Sequence, residues 1–150
     1  HSILELGRID TVMRLIETQF SLYVGDCWEH LCRQYVSGNE IDGIIYNMAS
    51  RWWGKIFPND NKEGTMIELD IVAESFDKKH ILIGECKWTN GEDAQRLAHS
   101  LSEKAQSLPF VKREQQVHLV LFLKRTPEHP EAARYFLPEN IVSSHAFRRE

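Results

Sequence analysis

Two charged pairs interrupt apolar stretches of the sequence at a spacing that suits a β-strand. Glu85 and Lys87 are two positions apart in a hydrophobic run, and Glu68 and Asp70 repeat this spacing in the preceding run. Residues two apart on a strand project from the same face, about 7 Å from each other. A largely hydrophobic strand rarely carries charges without a compensating role. These four positions are therefore the first candidates for chemistry.

The chemistry that these residues predict is metal-assisted. If the two runs pair as antiparallel strands, Asp70 lies beside Glu85, and the repulsion between the carboxylates must be relieved by a proton, a divalent cation or Lys87. Carboxylate oxygens around an open position suit Mg²⁺ or Mn²⁺. Such an ion lowers the pKa of bound water and stabilises charge on a phosphate, and a nearby lysine positions the water or neutralises the transition state.

Simpler interpretations of the same residues stay open. Glu85 and Lys87 could form an ordinary ion pair, worth about 0–1 kcal/mol when exposed, although the apolar run around them favours a site with perturbed charges. Glu68 lies farther along the face of Asp70, where a solvated or supporting carboxylate is expected. Cys86 alternates to the opposite face and has no base nearby in the sequence. It is predicted to be a buried thiol and not a nucleophile.

The elements that must position these residues are predicted to be strands. Residues 51–57 are rich in aromatics and end at a turn cluster, so they predict a short strand. Residues 66–73 and 81–88 predict two further strands, joined by a polar hairpin turn at 77–79. In the first of these, one face is predicted to hold Ile67, Leu69, Ile71 and Ala73, opposite Glu68, Asp70 and Val72.

Helices are predicted on either side of these strands. Apolar spacing indicates a helix over 9–22, a break at Gly25 and a second helix from Asp26 to near Gly38. A third helix is expected from about Glu92 until Pro109 ends it. The apolar run 117–123 is typical of a buried strand, and one more short strand is expected around Ile141. The predicted order α-α-β-β-β-α-β describes an α/β domain with a mixed central sheet flanked by helices.

Length and composition describe a globular domain with an uneven charge. The chain has 150 residues, 42% hydrophobic and 27% charged, which excludes a disordered tail, a collagen-like repeat and a disulfide-stapled mini-protein. Its net charge is −4, whereas a domain that grips phosphates is usually basic. Composition alone therefore argues mildly against nucleic acid. The charge is also unevenly distributed: residues 1–94 hold nine Lys/Arg and sixteen Asp/Glu, whereas residues 95–150 hold nine Lys/Arg and six Asp/Glu.

Cysteine usage and the chain start indicate the setting of the protein. Cys27, Cys32 and Cys86 cannot all pair, and none belongs to a Cys-x-x-Cys arrangement, which predicts reduced thiols in a cytoplasmic protein. The longest apolar stretches are far too short for a membrane span, so no membrane partner is expected. The chain begins at His1 without Met and runs almost at once into an amphipathic pattern. This start predicts a segment of a longer protein.

Three sequence blocks, taken together, resemble a known family. Asp70, fourteen intervening residues and then Glu85-Cys86-Lys87 resemble the D-x(n)-E-x-K core of the PD-(D/E)XK (restriction-endonuclease-like) nuclease superfamily, and the strand-strand-helix-strand order is similar too. The blocks RWWGK, ELDIVA and GECKW, in this order, look like the C-terminal domain of unknown function of archaeal-type AAA+ ATPases. The resemblance covers residues 23–124.

The resemblance implies a restriction-endonuclease-like core and a role for each matching residue. Asp70 and Glu85 would be metal ligands for Mg²⁺ or Mn²⁺, with the backbone carbonyl of Cys86 as a third ligand. Lys87 would be the catalytic lysine. Members of the superfamily often add an acidic residue from the helix before the sheet, and Glu29 stands in that place.

The match is incomplete at three positions. Glu29 also fits a capping box with Asp26 and an i,i+4 ion pair with Arg33. Leu69 stands where the superfamily's name has a proline, a common departure. Gln95 is a weaker match to a glutamine that some members carry on the helix after the lysine.

The resemblance divides the chain into an N-terminal helix, residues 1–22, which would link to an ATPase domain, and a nuclease-like domain, residues 23–150. The implied function is Mg²⁺-dependent hydrolysis of phosphodiester bonds in nucleic acid, with DNA favoured over RNA, by the C-terminal module of an AAA+ ATPase. One alternative is a catalytically inactive module that docks on the ATPase or on DNA through a tryptophan-rich edge. Another is a nuclease fold that serves only to form homo-oligomers. Trp52, Trp53 and Trp88 could stack on bases or anchor the core.

Overall fold

A five-stranded mixed sheet forms the centre of the protein in a computed structural model that describes residues 3–145 and, within them, the side chains of residues 7–143. One long helix packs on one face of this sheet and a shorter helix packs on the other. The elements in chain order are α1 (Ile3–Val36), β1 (Glu40–Ile41), β2 (Ile44–Ile45), β3 (Ser50–Ile56), β4 (Thr65–Glu74), β5 (His80–Lys87), α2 (Ala94–Ala105), β6 (Gln116–Leu123), β7 (Arg134–Phe136) and α3 (Pro138–His145). The predicted α/β class with a mixed sheet is confirmed.

The sheet has the strand order β3-β4-β5-β6-β7. Strands β3, β4 and β5 pair antiparallel, and β5, β6 and β7 pair parallel. The predicted hairpin turn between β4 and β5 is confirmed: Asp77 accepts a hydrogen bond from the Ser75 hydroxyl at 2.6 Å, and Lys78 takes a left-handed φ of 60°. This pairing places the two charged motifs on neighbouring strands.

A β-bulge in β4 changes the predicted alternation of that strand. Ser50 pairs with Val72 and Trp52 pairs with Leu69, so β4 has one more residue than β3 between these pairs. As a result Leu69 packs in the cluster under α2, whereas Ile71 packs in the cluster under α1. The prediction of a single apolar face that includes both residues is therefore wrong, because a bulge moves the side chains beyond it to the opposite faces.

The helix α1 is continuous from Ile3 to Val36, so the predicted break at Gly25 is wrong. A glycine inside a helix costs only about 0.5–1 kcal/mol relative to alanine, and no proline lies in this segment to end the helix. Asp26 is consequently an interior residue and not a cap. The helix also crosses residues 22 and 23 without interruption.

The remaining segments differ from the prediction in two places. Residues 39–50, which the sequence pattern did not assign, contain the β1–β2 hairpin. Ile141 lies in α3 and not in a strand, because Pro138 begins a helix there and the side chain of Asn140 accepts a hydrogen bond from the Leu137 amide at 2.8 Å. No helix within the described residues is long and apolar enough to cross a membrane.

Candidate active site

The ladder between β4 and β5 opens at the two charged motifs. Regular pairing extends only as far as Ile71 opposite Gly84. Beyond that point the Asp70 carboxylate replaces a backbone acceptor: its Oδ2 accepts a hydrogen bond from the Cys86 amide at 2.9 Å. The carbonyl of a strand residue lies on the same side as its amide, so the Cys86 carbonyl also faces this gap. The bulge thus places the Asp70 carboxylate in the gap that the Cys86 carbonyl of β5 also faces.

Glu85 and Lys87 form the second part of the site. The Lys87 Nζ lies 3.7 Å from Glu85 Oε1, and the Glu85 side chain is only 15% exposed. The other carboxylate oxygen, Oε2, is buried and is the one side-chain polar atom within the described residues that is buried without a hydrogen-bond partner. Buried polar atoms are nearly always paired. This unpaired oxygen is therefore the feature of the site that the protein's own residues do not explain.

Glu29 approaches the Asp70 part of the site from α1. Its Oε2 lies 3.1 Å from Arg51 Nη2 and 3.6 Å from Arg33 Nη1, and Arg33 also donates a hydrogen bond to the Asp70 carbonyl at 3.1 Å. The capping-box interpretation of Glu29 is wrong because Asp26 lies inside α1, but the i,i+4 pair with Arg33 is present.

The charge of Glu29 is disfavoured by its surroundings. Burial raises the pKa of the Glu29 carboxyl, and the negative charge of Asp70 raises it further, against the opposing effects of Arg51 and Arg33. Glu29 therefore holds its proton more tightly in the folded protein than in the unfolded chain. This proton stabilises the fold at low pH, and that contribution is lost as the pH rises through the folded-state pKa.

Replacing Glu29 with glutamine is expected to make Mn²⁺ binding less dependent on pH on the acidic side of neutrality, because a proton on Glu29, whose pKa is raised by burial, no longer competes with the cation. The affinity should be measured by calorimetry across this range. Asp10→Asn, which removes an exposed acid elsewhere on α1, is the control. An unchanged pH dependence in Glu29→Gln would exclude Glu29 from the cation site.

Two cavities meet at Lys87. On the α1 side of the sheet, a groove of about 580 Å³ is lined by residues of α1, including Asp26 and Glu29, and by the end of β5. On the α2 side, a cavity of about 310 Å³ contains Glu85 and the first turns of α2. Lys87 lines both cavities, and its ammonium group lies beside Glu85.

The other sequence candidates occupy different surroundings. Glu68 is 55% exposed and pairs with Arg51 at 3.1 Å, which fits a supporting carboxylate. Cys86 is buried, and burial together with contact to Cys32 raises the pKa of its thiol well above the usual range, so it is not a nucleophile. Gln95 is exposed and does not line the cavity around Glu85.

The tryptophans divide into core residues and one exposed residue. Trp52 packs against Phe110 and Trp88 packs against Trp28, with ring centroids 5.2 Å and 5.1 Å apart. Trp53, on the opposite face of β3 from Trp52, is 67% exposed. Of the three tryptophans considered for base stacking, Trp53 is thus the one whose ring is largely free.

Sequence reasoning missed three residues of the cavity on the α2 side. Glu92, Arg96 and Ser100 line it together with Glu85 and Lys87. The signal for them was weak, because an acid such as Glu92 is common near a helix N-terminus. The three residues are spaced four apart, so Arg96 and Ser100 lie on one face of α2, and Glu92 lies just before the helix begins.

A separate group of possible ligands lies at the start of α2. Asp93, Glu128 and His129 are the one set of three such residues within the described part of the chain whose ligand atoms all lie within 4.8 Å of one another. Asp93 Oδ1 already accepts hydrogen bonds from the Gln95 and Arg96 amides and contacts His129 Nδ1 at 3.2 Å. This group therefore caps α2. Glu29, Asp70 and Glu85 do not form such a close set of carboxylates.

The residues around the opened ladder nevertheless fit a divalent cation. Glu85 offers a buried oxygen with no donor, and Asp70 lies across the gap on the neighbouring strand. Oxygen donors of this kind suit Mg²⁺ or Mn²⁺. A cation would also offset the cost of the unpaired carboxylate oxygen.

Comparison with known proteins gives a family but no described activity. No curated protein matches the chain. A sequence family matches residues 1–104, which include α1, β1 to β5 and nearly all of α2. This is more than half of the chain and contains every candidate site residue. The chain belongs to this family, DUF234, archaeal and bacterial proteins of unknown function.

Proposed function

We propose that this domain hydrolyses phosphodiester bonds of nucleic acid, with DNA as the favoured substrate and Mg²⁺ or Mn²⁺ as the cofactor. The observation that carries the proposal is the interrupted β4–β5 ladder, where Asp70 binds the Cys86 amide next to a buried, unpaired oxygen of Glu85. The acid-acid-lysine pattern of the sequence falls at this one structural irregularity. The step from this site to nuclease activity rests on the resemblance to PD-(D/E)XK nucleases.

The chain's own residues would hold the cation from both strands. Asp70, Glu85 and the Cys86 carbonyl would be the ligands, and Glu29, which lines the groove on the α1 side, would be a further ligand once it has lost its proton. When bound, the cation supplies a Lewis acid that polarises the phosphate and lowers the pKa of water. Arg33 fixes the Asp70 backbone through its hydrogen bond at 3.1 Å, and Arg51 orients Glu29.

Lys87 would orient the attacking water or neutralise charge on the phosphate. The Lys87 side chain is 42% exposed and its Nζ lies 3.7 Å from Glu85 Oε1, so the ammonium group lies beside the carboxylate on an accessible side chain. A lysine in this position has three donors and no acceptor. It can therefore bind a water oxygen or a phosphate oxygen, but it does not compete for the cation.

The charge of the chain gives the cation a second role. A net charge of −4 disfavours contact with phosphates, and sixteen of the acids lie in residues 1–94. A bound divalent cation places positive charge where the phosphate must approach. We therefore expect the isolated domain to bind nucleic acid weakly unless the cation is present.

Replacing Glu85 with glutamine is expected to abolish stabilisation by Mn²⁺ while leaving the metal-free protein as stable as the wild type. An Mn²⁺ concentration about ten times Kd stabilises the wild type by about 1.4 kcal/mol, or about 3–6 °C in Tm. Glutamine has nearly the same shape and removes the buried negative charge, so the fold loses little.

The measurement is thermal melting during titration with Mn²⁺. Asp70→Asn, which keeps an acceptor for the Cys86 amide but removes the charge, is expected to behave like Glu85→Gln. Glu114→Gln, an exposed site, is the control and should respond like the wild type. A wild type that shows no shift at millimolar Mn²⁺ would count against the cation site and the hydrolysis that depends on it.

A second candidate function is a catalytically inactive module that docks on an ATPase domain of the same protein. It is favoured by the N-terminal half of α1, where Ile9, Met13, Ile16 and Phe20 are each more than 50% exposed at helical spacing. An apolar stripe of this kind is typical of a surface that binds another protein. This candidate predicts that Mn²⁺ neither stabilises the domain nor supports cleavage, so the same titration separates the two functions.

A further inference from the structure

The cavity on the α2 side of β5 has a chemistry that the cation site alone does not use. Its volume is about 310 Å³, and its walls include Glu85, Lys87, Glu92, Arg96 and Ser100. Two of these residues are cationic and one is a hydroxyl donor. They line the same cavity as Glu85, a proposed cation ligand.

Arg96 is available to bind a ligand. Its side chain is 76% exposed, and its guanidinium lies 3.8 Å from Glu92, beyond hydrogen-bond distance. Glu92 itself is only 15% exposed and accepts a hydrogen bond from the Thr89 hydroxyl. Because the Arg96 side chain is largely exposed and makes no hydrogen bond to Glu92, it can leave Glu92 for a better acceptor at little cost.

We propose that this cavity binds the phosphodiester group adjacent to the one that is cleaved, with the Arg96 guanidinium and the Ser100 hydroxyl as donors. The inference rests on the proposed nuclease function and names a binding contact of that same site. Arg96 and Ser100 are four residues apart on α2, so both side chains project from one face of the helix. A guanidinium matches two phosphate oxygens at once, which a lysine cannot do.

The carboxylates of the cavity set the order of binding. Glu85 and Glu92 would repel a phosphate from a metal-free site. The formal charges of Glu85, Glu92, Lys87 and Arg96 sum to 0, and a bound divalent cation would raise this sum to +2 and favour the approach of a phosphate to Arg96. The contribution of Arg96 to nucleic-acid binding should therefore depend on the divalent cation.

The test is the affinity of a fluorescently labelled oligonucleotide, as single strand and as duplex, measured by anisotropy with Ca²⁺ in place of Mg²⁺ and repeated at several salt concentrations. Intact oligonucleotide is verified on a gel after each measurement. Arg96→Ala is expected to weaken binding about 10-fold. The slope of log K against log salt should also fall by about 0.7–0.9, the value for one lost phosphate contact.

Lys104→Ala is the matched control, because it removes one positive charge from the same helix at a residue that lines a different cavity. Equal affinities and salt slopes for Arg96→Ala and Lys104→Ala would overturn the phosphate contact. If the two variants are equal and the wild type still cleaves DNA with Mg²⁺, the proposed function stands without the Arg96 contact. A wild type that neither binds nor cleaves any nucleic acid would overturn both.

Discussion

Lys87→Ala is expected to lower the rate of DNA cleavage by about 100-fold or more without destabilising the protein. The ammonium group is the cation of the strand motif and lies beside Glu85, so alanine removes the donor that would bind the water or the phosphate there. The side chain is 42% exposed, and its pairing with Glu85 at 3.7 Å adds little to the fold. The measurement is the initial rate of cleavage of plasmid and single-stranded DNA with Mg²⁺ or Mn²⁺.

Two comparisons identify the cause of the loss. Lys124→Ala removes a lysine at the neighbouring strand end, where its Nζ lies 5.5 Å from the Trp88 ring, and should leave the rate unchanged. Lys87→Ala should still be stabilised by Mn²⁺, because the carboxylates remain. Equal trace activity in the wild type and Lys87→Ala would show that the activity is a contaminant and that the enzyme hypothesis fails.

Trp28→Ala is expected to destabilise the protein by about 3–5 kcal/mol. The side chain is 4% exposed, packs against Trp88 and donates a hydrogen bond from Nε1 to the Phe122 carbonyl at 3.1 Å. It thereby fixes α1 to the ends of β5 and β6, one residue before Glu29. The free energy of unfolding should be measured by urea denaturation.

Trp28→Phe separates packing from hydrogen bonding, since it keeps an aromatic ring and removes the donor. We expect it to cost more than the roughly 1 kcal/mol of a typical hydrogen bond, because the Phe122 carbonyl loses its partner and the ring is smaller. A loss below about 1 kcal/mol for Trp28→Ala would mean that the position of α1 is fixed by other contacts. The position of Glu29 would then have to be explained without Trp28.

The strands of the site could be predicted because their signals are local. The alternation in β5 and the polar turn before it depend on a few neighbouring residues, and both are present in the structure. The bulge in β4 could not be predicted. It depends on how β4 pairs with β3 and β5, and the sequence of β4 alone is compatible with unbroken alternation.

The helix α1 shows the opposite error, a local signal given too much weight. Gly25 predicted a helix end, yet the cost of one glycine is small beside the packing of Trp28, Cys32 and Val36 against the sheet. Glu29 was placed correctly on the helix before the sheet. Its partners Arg33 and Arg51 come from α1 and β3, and only Arg33 could be inferred from spacing.

The cavity residues Glu92, Arg96 and Ser100 show a third limit. Their types are common on helix surfaces, and nothing in their spacing separates a solvent-facing stripe from the wall of a cavity. Whether these residues face solvent or line a cavity depends on how α2 packs across β5 and β6, through contacts between residues far apart in the chain. Such residues can be identified only once the position of α2 relative to the strand motif is known.

The extra residue in β4 has a consequence for the evolution of the family. A strand without it would pair regularly with β3 and β5 and make a more stable sheet, but it would have no carboxylate to offer at the gap. Selection for stability alone would therefore favour its deletion, so the insertion is expected to persist where the site that it forms is used. If the proposed function is right, relatives that lack the insertion are expected to lack cation binding as well.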